Sequence, residues 1–153
     1  HALGWIDHMP RFIGVTAALA PSLYRAWRAW CQDFETIPSQ TIASGISVDR
    51  PCDGVMALRA VRETGGVFVE ASDEAMLTAI HTLAAEAGVF VEPACAAALV
   101  GLEESLRRGW IQPDEEVVLQ LTGSGFKDVR SALRAARQPT VVRTLEDVAR
   151  ALV

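Results

Sequence analysis

The stretch Val117–Asp128, VVLQLTGSGFKD, decides how the rest of the chain is read. Its opening run, Val117 to Leu121, has the length and the β-branched, aliphatic composition of a buried strand. The run stops at Thr122-Gly123-Ser124-Gly125, where two glycines permit backbone angles that other residues resist. Asp128, or the residues just before it, then opens a helix carrying Val129, Leu133 and Ala136 along one side. A strand that ends at a polar, glycine-rich corner and turns into a helix is where open α/β sheets hold ligands.

The chemistry of the corner narrows what it could bind. Gly123-x-Gly125 begins a dinucleotide-binding pattern, but Asp128 stands where its third glycine belongs. A phosphate-binding P-loop fails on the spacing before Lys127 and on the lack of a following Ser or Thr. A third reading is a hydroxyl set at the end of a strand to hydrogen-bond one polar atom of a flat ligand. The plain alternative is a tight strand-to-helix turn with a helix cap, and local sequence leaves these last two open.

With 153 residues, the chain suits one compact domain with a real core. Half of it is hydrophobic and 22% is charged, which excludes a disordered or low-complexity chain. A net charge of −5 gives no electrostatic footprint for nucleic acid. No apolar run is long enough to span a bilayer, so no membrane partner is expected. Cys31, Cys52 and Cys95 show no CxxC spacing and read as reduced thiols of a cytoplasmic protein. His1, His8 and His81 lack metal-ligand spacing, so no metal is expected. Lys127 is the only lysine.

Elsewhere the chain alternates strand-like and helix-like segments. Ala2–Asp7 reads as a linker or helix end, and Arg11–Ala17 as a buried strand in which Gly14 lets a neighbour approach. Pro21 starts a helix with Leu23, Trp27 and Trp30 at helical spacing and Tyr24 beside them, an aromatic stripe that reads as packing. Asp33–Gly54 is a long loop within which Thr41–Ile46 is expected to be extended. A short helix over Val55–Glu63 precedes a strand at Val67–Val69. Ser72 caps the next helix, and Gly88 stops it. Glu92-Pro93 opens another helix on a row of small residues, Ala94 to Ala98; Glu92 is either its cap or a site carboxylate. After a break at Gln138-Pro139, Thr140–Val142 is β-like, and Thr144-x-x-Asp147 is a capping box for a terminal amphipathic helix that includes Leu152. The alternation predicts an α/β, three-layer αβα architecture around a mainly parallel sheet. Residues 1–138 form its body and residues 139–153 a terminal extension packed on it.

Pro10–Ala17, Thr41–Ile46, Val89–Ala98 and Leu121–Asp128, in that order and spacing, together resemble the carboxyl half of threonine synthase. More widely, they resemble the fold-type II pyridoxal-phosphate enzymes, which include serine and threonine ammonia-lyases. The resemblance implies part of that family's large domain, with pyridoxal phosphate as cofactor. It places Thr122 at the pyridine nitrogen of the ring, Ala43-Ser44-Gly45 near the ring, and Glu92 and Gly123 near the pocket edge. A neutral hydroxyl at the ring nitrogen, rather than a carboxylate, does not favour a protonated ring and so suits elimination and replacement chemistry.

By the same resemblance, the lysine that anchors the cofactor and the glycine-rich loop that holds its phosphate belong to an amino-terminal portion. Lys127 is not at the anchoring position, so no residue of this chain is expected to be catalytic. The implied protein converts O-phosphohomoserine and water to threonine and phosphate, with this chain inactive alone. The alternatives are an ammonia-lyase portion and a non-catalytic interaction domain derived from the fold. The expected partners are a small amino-acid substrate and either the amino-terminal half or a second copy of the chain, in a homo-oligomer.

Overall fold

A computed structural model describes residues 1–136 and 140–151. Strand β1 (Ile13–Ala17) leads into helix α1 (Ser22–Arg28), and a long loop with a 3-10 turn at Ser44–Ile46 follows. Next come α2 (Gly54–Glu63), β2 (Val67–Ala71), α3 (Asp73–Ala87) and α4 (Pro93–Arg107). A second 3-10 turn, Gly125–Lys127, precedes α5 (Val129–Ala135), and α6 (Leu145–Ala151) ends the described chain.

The strands pair in parallel, from Ile13 opposite Val67 to Ala17 opposite Ala71. Because side chains alternate along a strand, Gly14 and Phe68 share one face while Val15, Ala17 and Ala71 share the other. On the first face Phe68 packs with Ala26 of α1 and with Leu58 and Val61 of α2. On the second, Ala17 and Ala71 meet Met76 of α3 and Ala97 of α4. Helices therefore cover both faces of a parallel sheet, as the sequence predicts. Leu58 and Met76 are essentially fully buried, each contributing ~1.5–3 kcal/mol by removal from water. The layers fit because small residues stand at the contacts. A Cβ on Gly14 would lie 2.4 Å from the Phe68 ring, and one on Gly101 would lie 2.4 Å from Val15.

The helix ends follow local chemistry. Ser72 Oγ accepts from the Ala75 amide, and Gly88 closes α3 at φ 67°, a left-handed angle that costs glycine little. Thr144 and Asp147 exchange both bonds of a capping box: the Asp147 amide donates to Thr144 Oγ1 at 3.2 Å, and the Thr144 amide to Asp147 Oδ2 at 3.0 Å. None of the described residues of α6 is buried.

Several expectations are corrected. Val117–Leu121 forms no strand; it has no paired edge, and Val118 is 90% exposed. Thr41–Ile46 is not extended but ends in the 3-10 turn, and Thr140–Val142 is not a strand. Trp30 is not a packing residue. Helix α1 ends in a backbone pattern in which the Cys31 amide donates to the Ala26 carbonyl at 3.0 Å, and this puts Trp30 at φ 53° with its side chain exposed. The break at Gln138-Pro139, the boundary drawn there and the apolar Leu152 lie outside the described residues.

Candidate functional site

The parallel strands point their carboxyl ends toward the loop after β1, the start of α3 and the start of α4, the edge at which α/β sheets bind ligands. Asp73, at the start of α3, pins the Thr41–Ile46 segment there. Its carboxylate accepts from Thr41 Oγ1 at 2.5 Å and from the Ile42 amide at 3.2 Å. Ala43 is consequently buried in the core, while Ser44 and Gly45 lie exposed above it. Gly45 faces the start of α4: a Cβ on it would come 3.1 Å from Ala94 Cβ and 3.9 Å from Glu92 Oε1.

The Thr122–Gly125 corner reaches the same place by a different route. Val91 and Ser124 form an antiparallel bridge, with the Glu92 amide donating to the Gly123 carbonyl and the Gly125 amide to the Phe90 carbonyl. The two glycines serve closeness rather than unusual torsion, since neither has a positive φ. A Cβ on Gly123 would fall 2.0 Å from Glu92 Oε1, and one on Gly125 would fall 2.5 Å from the Phe90 ring. That corrects the reading of the corner from backbone angles. Ser124 then accepts from the Phe126 amide, and Asp128 caps α5 by accepting from the Ser131 amide. The hydrogen bonds to Ser131 hold the Asp128 carboxyl below its ordinary value.

Glu92 sits at the cap position of α4 but makes no capping hydrogen bond with its side chain. Its largely buried carboxylate instead pairs with Lys127 at 3.3 Å, and it lies between Gly45 and Gly123. Cys95, which sequence reasoning passed over as one more small residue, ties the corner down. Its buried Sγ accepts from the Gly123 amide at 2.8 Å and lies 3.6 Å from Thr122 Oγ1. The one signal in the sequence was a polarisable sulfur in the third position of a helix among alanines. Asp73 carries no local sign of its contact with Thr41.

Of the residues singled out from sequence, Gly45, Glu92, Gly123 and Thr122 therefore converge; Ser44 adjoins them, and Ala43 supports the loop from beneath. Thr122 is exposed, and among the described residues its hydroxyl has only the Cys95 thiol within hydrogen-bonding reach. Such a hydroxyl has the chemistry to donate to a ring nitrogen, while the space beside Gly123 is taken by Glu92 and that beside Gly45 by Ala94. A lone neutral donor of this kind fits the nitrogen of a heteroaromatic ring. Among the described residues no group of three His, Cys, Asp or Glu side chains could hold a metal ion, and no helix is long and apolar enough to cross a membrane.

The model of a protein family described as "Pyridoxal-phosphate dependent enzyme" matches residues 1–123. The chain belongs to that family. The cofactor of this pyridoxal-phosphate enzyme family is thereby given, and the parallel α/β fold agrees with it. Among curated proteins, the threonine synthase of Mycobacterium tuberculosis (strain ATCC 25618 / H37Rv) is 38% identical over 135 residues, covering 88% of this chain and 35% of that protein. The threonine synthase of Methanocaldococcus jannaschii is 36% identical over 137 residues, covering 89% of this chain and 34% of that protein. A crystal structure of T.th. threonine deaminase superimposes with a TM-score of 0.52 at 25% identity, over 64% of this chain and 32% of that one. The chain spans about a third of the length of the curated relatives it matches.

Proposed function

We propose that this chain supplies the ring-facing, carboxyl-terminal part of a threonine synthase, which forms threonine and phosphate from O-phosphohomoserine and water. The observation that carries the reading is the exposed Thr122 hydroxyl, held by Cys95 at a corner where Gly45, Glu92 and Gly123 meet. Pyridoxal phosphate, when bound, supplies an electron sink for bonds at the substrate's carbon atoms. Thr122 offers the ring nitrogen a neutral donor. Gly123 lets the Glu92 side chain close in on the corner, Ser44 and Gly45 lie exposed beside it with Ala43 supporting the loop, and Glu92 fixes the corner through Lys127 and bounds the pocket. Lys127, the sole lysine, is engaged by that carboxylate. The covalent anchor and the phosphate loop accordingly belong to further polypeptide, and the chain alone is inactive.

In this reading residues 1–138 belong to the cofactor-binding domain, residues 139–153 form an extension, and the assembled protein is a cytoplasmic homo-oligomer. The likeness to a threonine deaminase favours a second reading, an amino-acid ammonia-lyase portion. Co-expression with the part of a threonine synthase that this chain does not cover separates the two. Equal amounts of threonine and phosphate from O-phosphohomoserine, lost in Thr122→Val, support the first. Ammonia and 2-oxobutanoate from threonine support the second. A well-formed complex with neither activity contradicts both.

A further inference from the structure

A hollow of about 610 Å³ lies at the other end of the sheet from the Thr122 corner. Helices α1, α2 and α4 all end there, beside Gly65 and Gly66 ahead of β2. Three indoles and three guanidinium groups line it: Trp27, Trp30 and Trp110 with Arg28, Arg62 and Arg108. Arg62 lies over the Trp30 ring at 5.4 Å, Arg108 over Trp110 at 4.8 Å and Arg28 over Tyr24 at 5.8 Å. Trp27 and Trp110 meet edge to face.

Arginines at helix ends commonly do no more than complement the helix dipole. Two features go beyond that. First, no carboxylate of the described residues lies within ion-pair distance of Arg28 or Arg62, in a chain whose net charge is −5. Arg62 Nε is also buried without a hydrogen-bond partner. Glu104 pairs with Arg108, and Glu70 lines an adjoining hollow with Arg25 and Arg28. Second, Trp30 stands at the helix-stop position that glycine fills without strain, and among the described residues it is the only non-glycine with positive φ. Its indole is 78% exposed, so burial does not explain the tryptophan, and backbone ease argues against it. Contact with a bound molecule accounts for both.

We propose that this cleft is a second binding site, for a small planar aromatic anion whose ring packs among the indoles and whose anionic group meets Arg28 and Arg62. Arg62 Nη2 donates to the Ala26 carbonyl at 3.0 Å and Arg108 is paired with Glu104, so the remaining Arg62 N–H groups and the Arg28 guanidinium are the donors left for such a group.

Titration of the chain with naphthalene-2,6-dicarboxylate, followed by calorimetry and tryptophan fluorescence, tests this. Saturable one-to-one binding is expected, weakened about tenfold or more in both Trp30→Gly and Arg62→Gln. Trp30→Gly should melt no lower than the parent because it relieves the left-handed strain, so its loss of binding is not a loss of fold. Thr122→Val, at the far end of the sheet, should bind as the parent does. No saturable binding, or unchanged binding in Trp30→Gly and Arg62→Gln, overturns the proposal. Equal binding of uncharged naphthalene overturns it as well.

Discussion

Two five-residue apolar runs, Val67–Ala71 and Val117–Leu121, look alike as sequence and behave differently in the molecule. The first pairs with β1 along its whole length and buries Phe68, Val69 and Ala71. The second has no backbone hydrogen bond among the described residues, yet keeps the alternation of a strand. Leu119 and Leu121 pack toward Val91 and Cys95, while Val118 and Gln120 face outward. Composition makes a run strand-capable, and a partner edge makes it a strand. An unpaired apolar edge is also a place where another strand can add.

Mutations can break or sharpen this contrast. The largest effect is expected from Phe68→Ala, which empties the centre of the paired region and should cost ~3–5 kcal/mol in urea denaturation. A much smaller loss would mean that the β1–β2 core is not what holds the fold. Ser72→Ala removes the cap that starts α3 directly after β2, and the same measurement should show a loss of about 1 kcal/mol.

A third effect appears with pH. Hydrogen bonds from Arg107 and then Arg108 hold the Glu104 carboxyl at about 2, below its ordinary 4.5. An acid depressed in this way adds stability above its unfolded value and loses it as pH falls through the folded one. Stability should therefore decline between pH 4.5 and 2, less steeply in Glu104→Gln, and equal slopes would refute the pairing. The smallest change in stability belongs to the unpaired run. Val118→Lys should shift denaturation by no more than about 0.5 kcal/mol, because its side chain is already in water. The same substitution should reduce concentration-dependent association in size-exclusion chromatography if the bare edge is an assembly surface.

The legible parts of the sequence are those whose causes are local. Ser72, Gly88, Asp128 and the Thr144–Asp147 box act within one helical turn, and each does in space what its spacing predicts. The paired strands were legible because both are short, mainly apolar runs, interrupted only by Thr16 and Glu70. What could not be read depends on contacts between distant segments. Cys95 meets Gly123 across 28 positions, and Asp73 meets Thr41 across 32. Gly123 and Gly125 were recognisable as necessary, but the reason is the nearness of Glu92 and Phe90, which no local pattern records. Trp30 was misread because helical spacing continues to predict packing after the backbone has left the helix.

The most direct test of the account concerns where the cofactor is held covalently. The chain should be assembled with the amino-terminal part of a threonine synthase, loaded with pyridoxal phosphate, reduced with borohydride and mapped by peptide mass spectrometry. The account predicts the label on a lysine of the added portion, with Lys127 unmodified in its pair with Glu92. A label on Lys127 would contradict it.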